Sequence, residues 1–117
     1  MAKHNEFGRR GEEQAALFLI EHGYTILERN WRFKHLEIDI ICSIDGLLVI
    51  VEVKTRHVDD ESPEELLNSK KRKNLLSAAD AYVKIKKLNM ELRFDLILIL
   101  GENMKINHIQ EAINILD

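Results

Sequence analysis

Asp45-Gly46 stands between two runs rich in Ile, Val and Leu, residues 36–44 and 47–55. Asp-Gly suits the positive backbone angles of a tight two-residue turn, and the flanking β-branched residues favour strands, so the chain predicts an antiparallel hairpin. The rest of the fold has to be built around it. A strand alternates its side chains between two faces. In 36–44, Glu37 and Asp39 therefore take one face and Ile38, Ile40 and Cys42 the other. In 47–55, Glu52 and Lys54 share a face opposite Val49, Val51 and Val53. Pairing across the turn brings the far ends of both strands together, which gathers Glu37, Asp39, Glu52 and Lys54 into one patch of three acids and a lysine.

The remaining elements surround this hairpin. Residues 8–22 predict an amphipathic helix, with Ala15, Ala16, Leu19 and Ile20 at helical spacing, Gln14 and Glu21 opposite, and Gly23 ending it. Stepping 100° per residue places Glu12 in the middle of that apolar face, where a carboxylate calls for an explanation. Residues 24–33 predict a further strand. The acidic stretch Asp59–Glu65, which holds the only proline, predicts a solvated loop leading into a helix from about Pro63 to Leu88, with a break near Asn68. On that helix Leu75, Leu76, Ala79, Tyr82 and Val83 lie opposite Lys70, Lys73, Ser77, Lys84 and Lys87. Residues 91–100 predict a strongly apolar fourth strand, Lys105–Ile109 a short fifth, and Gln110–Leu116 a closing helix. The fold class is α/β: a mixed central sheet covered by helices, in a single domain spanning 1–117.

Composition narrows the function classes. The longest apolar run, Ala15–Ile20, is six residues, and Leu47–Val51 and Leu96–Leu100 are five each, against roughly 20 for a membrane-spanning helix. The first residues lack the apolar stretch of a secretory signal, so a cytoplasmic chain is expected. Cys42 is the only cysteine, which excludes an internal disulfide and a cysteine-based zinc cluster. His4, His22, His35, His57 and His108 show no helical pairing that would suit zinc. A net charge of −3 gives no overall basic field, so any nucleic-acid binding has to be local. Ser69–Lys87 supplies such a place, with seven basic residues against one acid.

Clustered carboxylates repel one another unless one takes a proton or a cation lies between them, and Mg²⁺ prefers oxygen ligands completed by water. The hairpin patch therefore suits a hard divalent cation. A lysine beside it can orient or help deprotonate an attacking water and stabilise charge building on a phosphate, the combination used in metal-assisted phosphodiester hydrolysis. Glu12 can supply another ligand or hold a water on the metal. The plainer reading is a solvated strand face with a surface ion pair, a helix acid at its favourable terminus, and a solvated lysine face. Tyr82 and Trp31 suit a core better than a base-stacking platform.

The segments GRRGEE (8–13), RNWR (29–32), LEIDII (36–41), VEVKTR (51–56), SKKRKNLLSAADAY (69–82) and RFDLI (93–97) carry a resemblance over nearly the whole chain. In order and spacing the sequence resembles the YraN-like family of small bacterial proteins. That family is similar to the restriction-endonuclease-like superfamily of PD-(D/E)xK nucleases and to Holliday-junction resolvases, whose core runs α-β-β-β-α-β. The resemblance implies that Asp39 and Glu52 are metal ligands, that Lys54 is the motif lysine, and that Glu12 matches the helix-one glutamate of resolvase-like members. It also implies Mg²⁺ or Mn²⁺ as cofactor and DNA as partner, branched or recombination intermediates included. A further reading is an accessory subunit whose activity needs a partner or a homodimer, since symmetric cleavage of two strands suits a two-fold dimer. Arg56 joins Lys70, Lys71 and Lys73 as candidate nucleic-acid contacts, and Glu37 is an accessory acid. Leu36 stands where the family usually has glycine. The alternative reading is a noncatalytic nucleic-acid- or protein-binding module that keeps the nuclease fold.

Overall fold

Asp45 and Gly46 both have positive φ, 50° and 79°, and close the expected hairpin between β2 (Leu36–Ile44) and β3 (Leu47–Arg56). The computed structural model describes residues 4–114. Ahead of the hairpin lie α1 (His4–Glu21) and β1 (Thr25–Phe33); after it come α2 (Pro63–Leu66), α3 (Ser69–Lys86), β4 (Glu91–Leu100) and β5 (Lys105–Ile113). The strands form one sheet in the order β1-β2-β3-β4-β5, antiparallel except for β3 and β4. A parallel pair needs a crossover, and α2 and α3 provide it. No helix among the described residues is long and apolar enough to cross a membrane.

Each sheet face buries its own cluster. On one, Ala15, Ala16 and Leu19 of α1 pack against Ile40, Cys42, Val49, Val51, Val53, Ile97 and Ile99. On the other, Leu75, Ala78, Ala79 and Tyr82 of α3 pack against Ile38, Ile41, Leu48, Ile50, Phe94, Leu96 and Leu98. Trp31 packs against the second cluster and meets Tyr82 edge-on at 5.1 Å, so both aromatics serve the core. The break near Asn68 is real. Ser62 caps α2 in a capping box with Glu65, Pro63 occupies its first turn, and the Asn68 side chain accepts from Lys71 N–H to start α3.

Three expectations need correction. Gln110–Ile113 is not helical but prolongs β5, with Ile113 opposite Phe94. The apolar edge of β4 offers ladder bonds to the end of the strand, and a register shift between Phe94 and Leu96, with Glu111 at φ 52°, absorbs the polar residues that suggested a helix. Residues 115 and 116 of the expected closing helix lie outside the described residues. Ile20 is 54% exposed rather than part of the α1 core face, because at 100° per residue it falls outside the stripe formed by Ala15, Leu19 and Ala16. Ile38 does not share a face with Ile40 and Cys42: it lies in the α3 cluster and they lie in the α1 cluster. The alternation breaks at Asp39, where the neighbouring strand carries Asn30 in a left-handed conformation at φ 53° between Arg29, opposite Ile40, and Trp31, opposite Ile38.

Candidate active site

That break opens a fork in the sheet. The pairing of β2 with β3 runs from Ile44 and Leu47 as far as Ile40 and Val51, while β3 stays paired with β4 through Arg56 and Leu100. Beyond the fork the Val53 N–H has no strand partner in β2 and donates instead to Asp39 Oδ2 at 2.8 Å. Asp39 is thus fixed by its neighbour's backbone. Its carboxyl is pushed up to about 8, chiefly by burial and then by the charge of Glu52, against the pull of the Val53 N–H.

Glu52 sits on the next strand, in line with Leu48 and Ile50 on the α3 face, a buried row in which its carboxylate replaces a third apolar side chain. The residue is 3% exposed. Its Oε2 lies 3.3 Å from Lys54 Nζ and 3.1 Å from Lys71 Nζ, the second lysine reaching across from the first turn of α3. Its Oε1 is buried with no hydrogen-bond partner. An unsatisfied carboxylate oxygen in such a place is costly, which marks it as a point where something further is received.

Glu12 enters from α1 and is half-buried. Burial raises its carboxyl above the ordinary range, Glu37 and Glu52 add to the rise, and Arg29 and a hydrogen bond with Asn30 oppose it. Its place depends on Gly11, which is buried against β3: a Cβ there would overlap Thr55 Oγ1 and stand 3.0 Å from Thr55 Cγ2. We expect Gly11→Ala to lift the start of α1 and cost about 1–3 kcal/mol. Thermal melting checks this, with Thr55→Ala in the same chain recovering most of the loss.

The other expected site residues are divided. Glu37 is exposed and faces Arg32 at 3.8 Å. Among the described residues no group of three or more His, Cys, Asp or Glu side chains is gathered closely enough to hold a metal on its own, so Glu12 and Glu37 do not join Asp39 and Glu52 in one ligand set. Arg56 is engaged by Glu61 at 2.7 Å and by the Thr55 carbonyl at 3.0 Å. Lys70 and Lys71, with Lys54, Asn68, Asn74 and Leu66, line a cavity of about 230 Å³ beside Glu52. Lys73 lines a different cavity with Arg72, Leu76 and Ala112. Cys42 is a buried free thiol, pushed up to about 12 mainly by burial, and so inert as a ligand.

A second charged centre lies on the α1 face of β4. Asp95, 2% exposed, accepts from Arg93 Nε at 2.9 Å and Nη2 at 2.7 Å, is met by His108 Nε2 at 2.7 Å, and accepts from Glu111 N–H at 3.2 Å. Arg93 Nη2 also donates to the Tyr24 hydroxyl at 2.7 Å. This network ties β4, the bulged end of β5 and the residue before β1. The alternation of RFDLI with an acid inside an apolar strand was its only trace in the sequence.

A family model described as an uncharacterised protein family, UPF0102, matches residues 11–99, the span that contains Glu12, Asp39, Glu52, Lys54, Lys71 and Asp95. A UPF0102 protein of Bacteroides thetaiotaomicron is 48% identical, across 96% of this chain and 95% of its own length. UPF0102 proteins of Parabacteroides distasonis and Phocaeicola vulgatus are 40% and 41% identical, each across 96% of this chain and 95% of their own lengths. With the family match covering most of the chain and near-full-length relatives agreeing, the chain belongs to the uncharacterised protein family UPF0102, the YraN family that its motifs resemble.

Proposed function

We propose that the protein is a nuclease dependent on Mg²⁺ or Mn²⁺ that hydrolyses phosphodiester bonds of DNA, branched repair or recombination intermediates included, in the cytoplasm. The observation that carries this reading is the Glu52 carboxylate, buried at a strand fork with one oxygen unpartnered, beside Asp39 and a lysine two residues along its own strand. The donors fit a hard cation: Mg²⁺ is commonly held by one or two carboxylates, with waters and substrate phosphate completing the octahedron. Asp39 and Glu52 would hold it. Once bound, the cation supplies Lewis-acid stabilisation of the phosphate and a more acidic attacking water.

The chain's own groups do the rest. Lys54, half-buried with its ammonium at Glu52, is placed to steer a water toward phosphorus and to balance charge on the pentacoordinate phosphate. Glu12, held by Asn30 and Arg29, borders the fork from the helix side, where it can accept a proton. Lys70 lines the neighbouring cavity with Lys54 and Lys71, a local positive surface in a chain of net charge −3.

A second reading, a noncatalytic nucleic-acid- or protein-binding module, is favoured by one feature: Lys54 and Lys71 already balance Glu52 without any cation. Labelled linear, single-stranded, flap and four-way-junction DNA separate the two. The nuclease reading expects cleavage of at least one substrate in Mg²⁺ or Mn²⁺ and none in EDTA. Folded protein that binds DNA but cuts none of the four supports the module.

A further inference from the structure

Two lysines converge on one oxygen of Glu52, and they are fixed differently. Lys54 stands two residues along the same face of β3, so the strand itself keeps its stem beside the acid. Lys71 comes from a separate element, the first turn of α3, and its side chain is 35% exposed. It also lines the cavity of about 230 Å³ that it shares with Lys54 and Lys70. A flexible four-carbon stem can move its ammonium from Glu52 into that space without moving the helix.

A buried carboxylate needs a countercharge, and in the cation-free fold the lysines provide it. A divalent cation received at the unpartnered Oε1 brings two positive charges within a few ångströms of the two ammonium groups on Oε2, and the repulsion acts most on Lys71, the one with somewhere to go. We propose that Lys71 is a resident counter-ion of Glu52 which a divalent cation displaces into the adjacent lysine-lined cavity. This rests on the metal reading above and assigns Lys71 a positioning role: it holds the empty site in shape and competes with the cation for Glu52.

Mn²⁺ binding to the full chain, followed by the electron paramagnetic resonance of free Mn²⁺, tests this with wild type, Lys71→Met and Lys84→Met. Lys84 is paired with Asp80 at the far end of α3, so its variant removes the same charge away from the site. Lys71→Met should bind Mn²⁺ about fivefold or more tightly than wild type, the direction set by removing one positive charge a few ångströms from the ion. Lys84→Met should bind as wild type does. A merely structural prop would give the opposite sign, because Glu52 would lose its orientation, so unchanged or weaker binding by Lys71→Met overturns the proposal alone. Absence of Mn²⁺ binding in wild type and Lys71→Met alike overturns the metal reading and this proposal with it. Melting in EDTA gives a readout that needs no metal: Lys71→Met should lower the midpoint in the Glu52 chain and leave it unchanged or raise it in a Glu52→Gln background, where Lys71 has lost its partner. Equal effects of Lys71→Met in both backgrounds overturn the counter-ion role.

Discussion

On the proposed nuclease reading, Asp39→Asn and Glu52→Gln should each lower metal-dependent DNA cleavage by about a thousandfold or more, since each removes one of the two carboxylates that would hold the cation. Their effects on the cation-free fold should differ. Burial and the charge of Glu52 push the Asp39 carboxyl up and disfavour its charge in the cation-free fold, and an amide in its place can still accept from the Val53 N–H. Asp39→Asn should therefore melt within roughly 0.5 kcal/mol of the parent in EDTA while losing cleavage. Glu52→Gln instead leaves Lys54 and Lys71 facing a neutral group and should be less stable as well as inactive. The raised Asp39 value also sets a pH dependence. A cation bound below about pH 8 has to expel the Asp39 proton, so cation affinity should rise with pH and level off above that value. Calorimetric titration in buffers of different ionisation enthalpy reads the released proton directly.

Asp95→Ala should be the most destabilising of the single changes, at about 3–5 kcal/mol, a large share of the stability of a domain this size. The substitution strands Arg93, His108 and the Glu111 N–H, each of which has its partner in the buried carboxylate. The melting temperature should fall by roughly 10 °C or more. Burial alone would raise the Asp95 carboxyl, but the hydrogen bonds from His108 and Arg93 outweigh it and hold the group below its ordinary value of 3.8. The linkage sign follows: the stability Asp95 contributes is fully present above its unfolded value and is lost as pH falls through its lower native value. Acid titration of the folded state should show this loss below about pH 4 in the parent and not in Asp95→Asn.

Local signals carried the hairpin, the break at Asn68 and the pairing of Glu52 with Lys54, because turn residues, caps and period-two alternation act over a few positions. Asp39 was found by the same alternation, but the reason for its position was not. The fork depends on Asn30, a residue nine positions earlier whose left-handed backbone is matched to the interruption at Asp39 across the β1-β2 ladder. They lie on different strands and meet only across the ladder, so no pattern within one strand contains both. Ile38 was misplaced for that reason, since a regular period of two cannot register one irregular step. The end of β5 was read as helix because Gln110, Glu111 and Ala112 have helical composition, whereas the open edge of β4 and the Asp95 carboxylate decide the outcome. The basic stretch after Asn68 showed its charge in the sequence but not its division: Lys71 reaches Glu52, Lys70 borders the cavity, and Lys73 faces elsewhere.

Asp39 and Glu52 are proposed to hold a divalent cation together at the strand fork. Anomalous scattering from crystals grown with Mn²⁺ tests it most directly, with Glu52→Gln crystals prepared alongside. The expected result is one anomalous peak within coordination distance of both carboxylates in the parent and no peak there in the variant. No peak at the fork under saturating Mn²⁺, or one that persists in Glu52→Gln, would contradict the account.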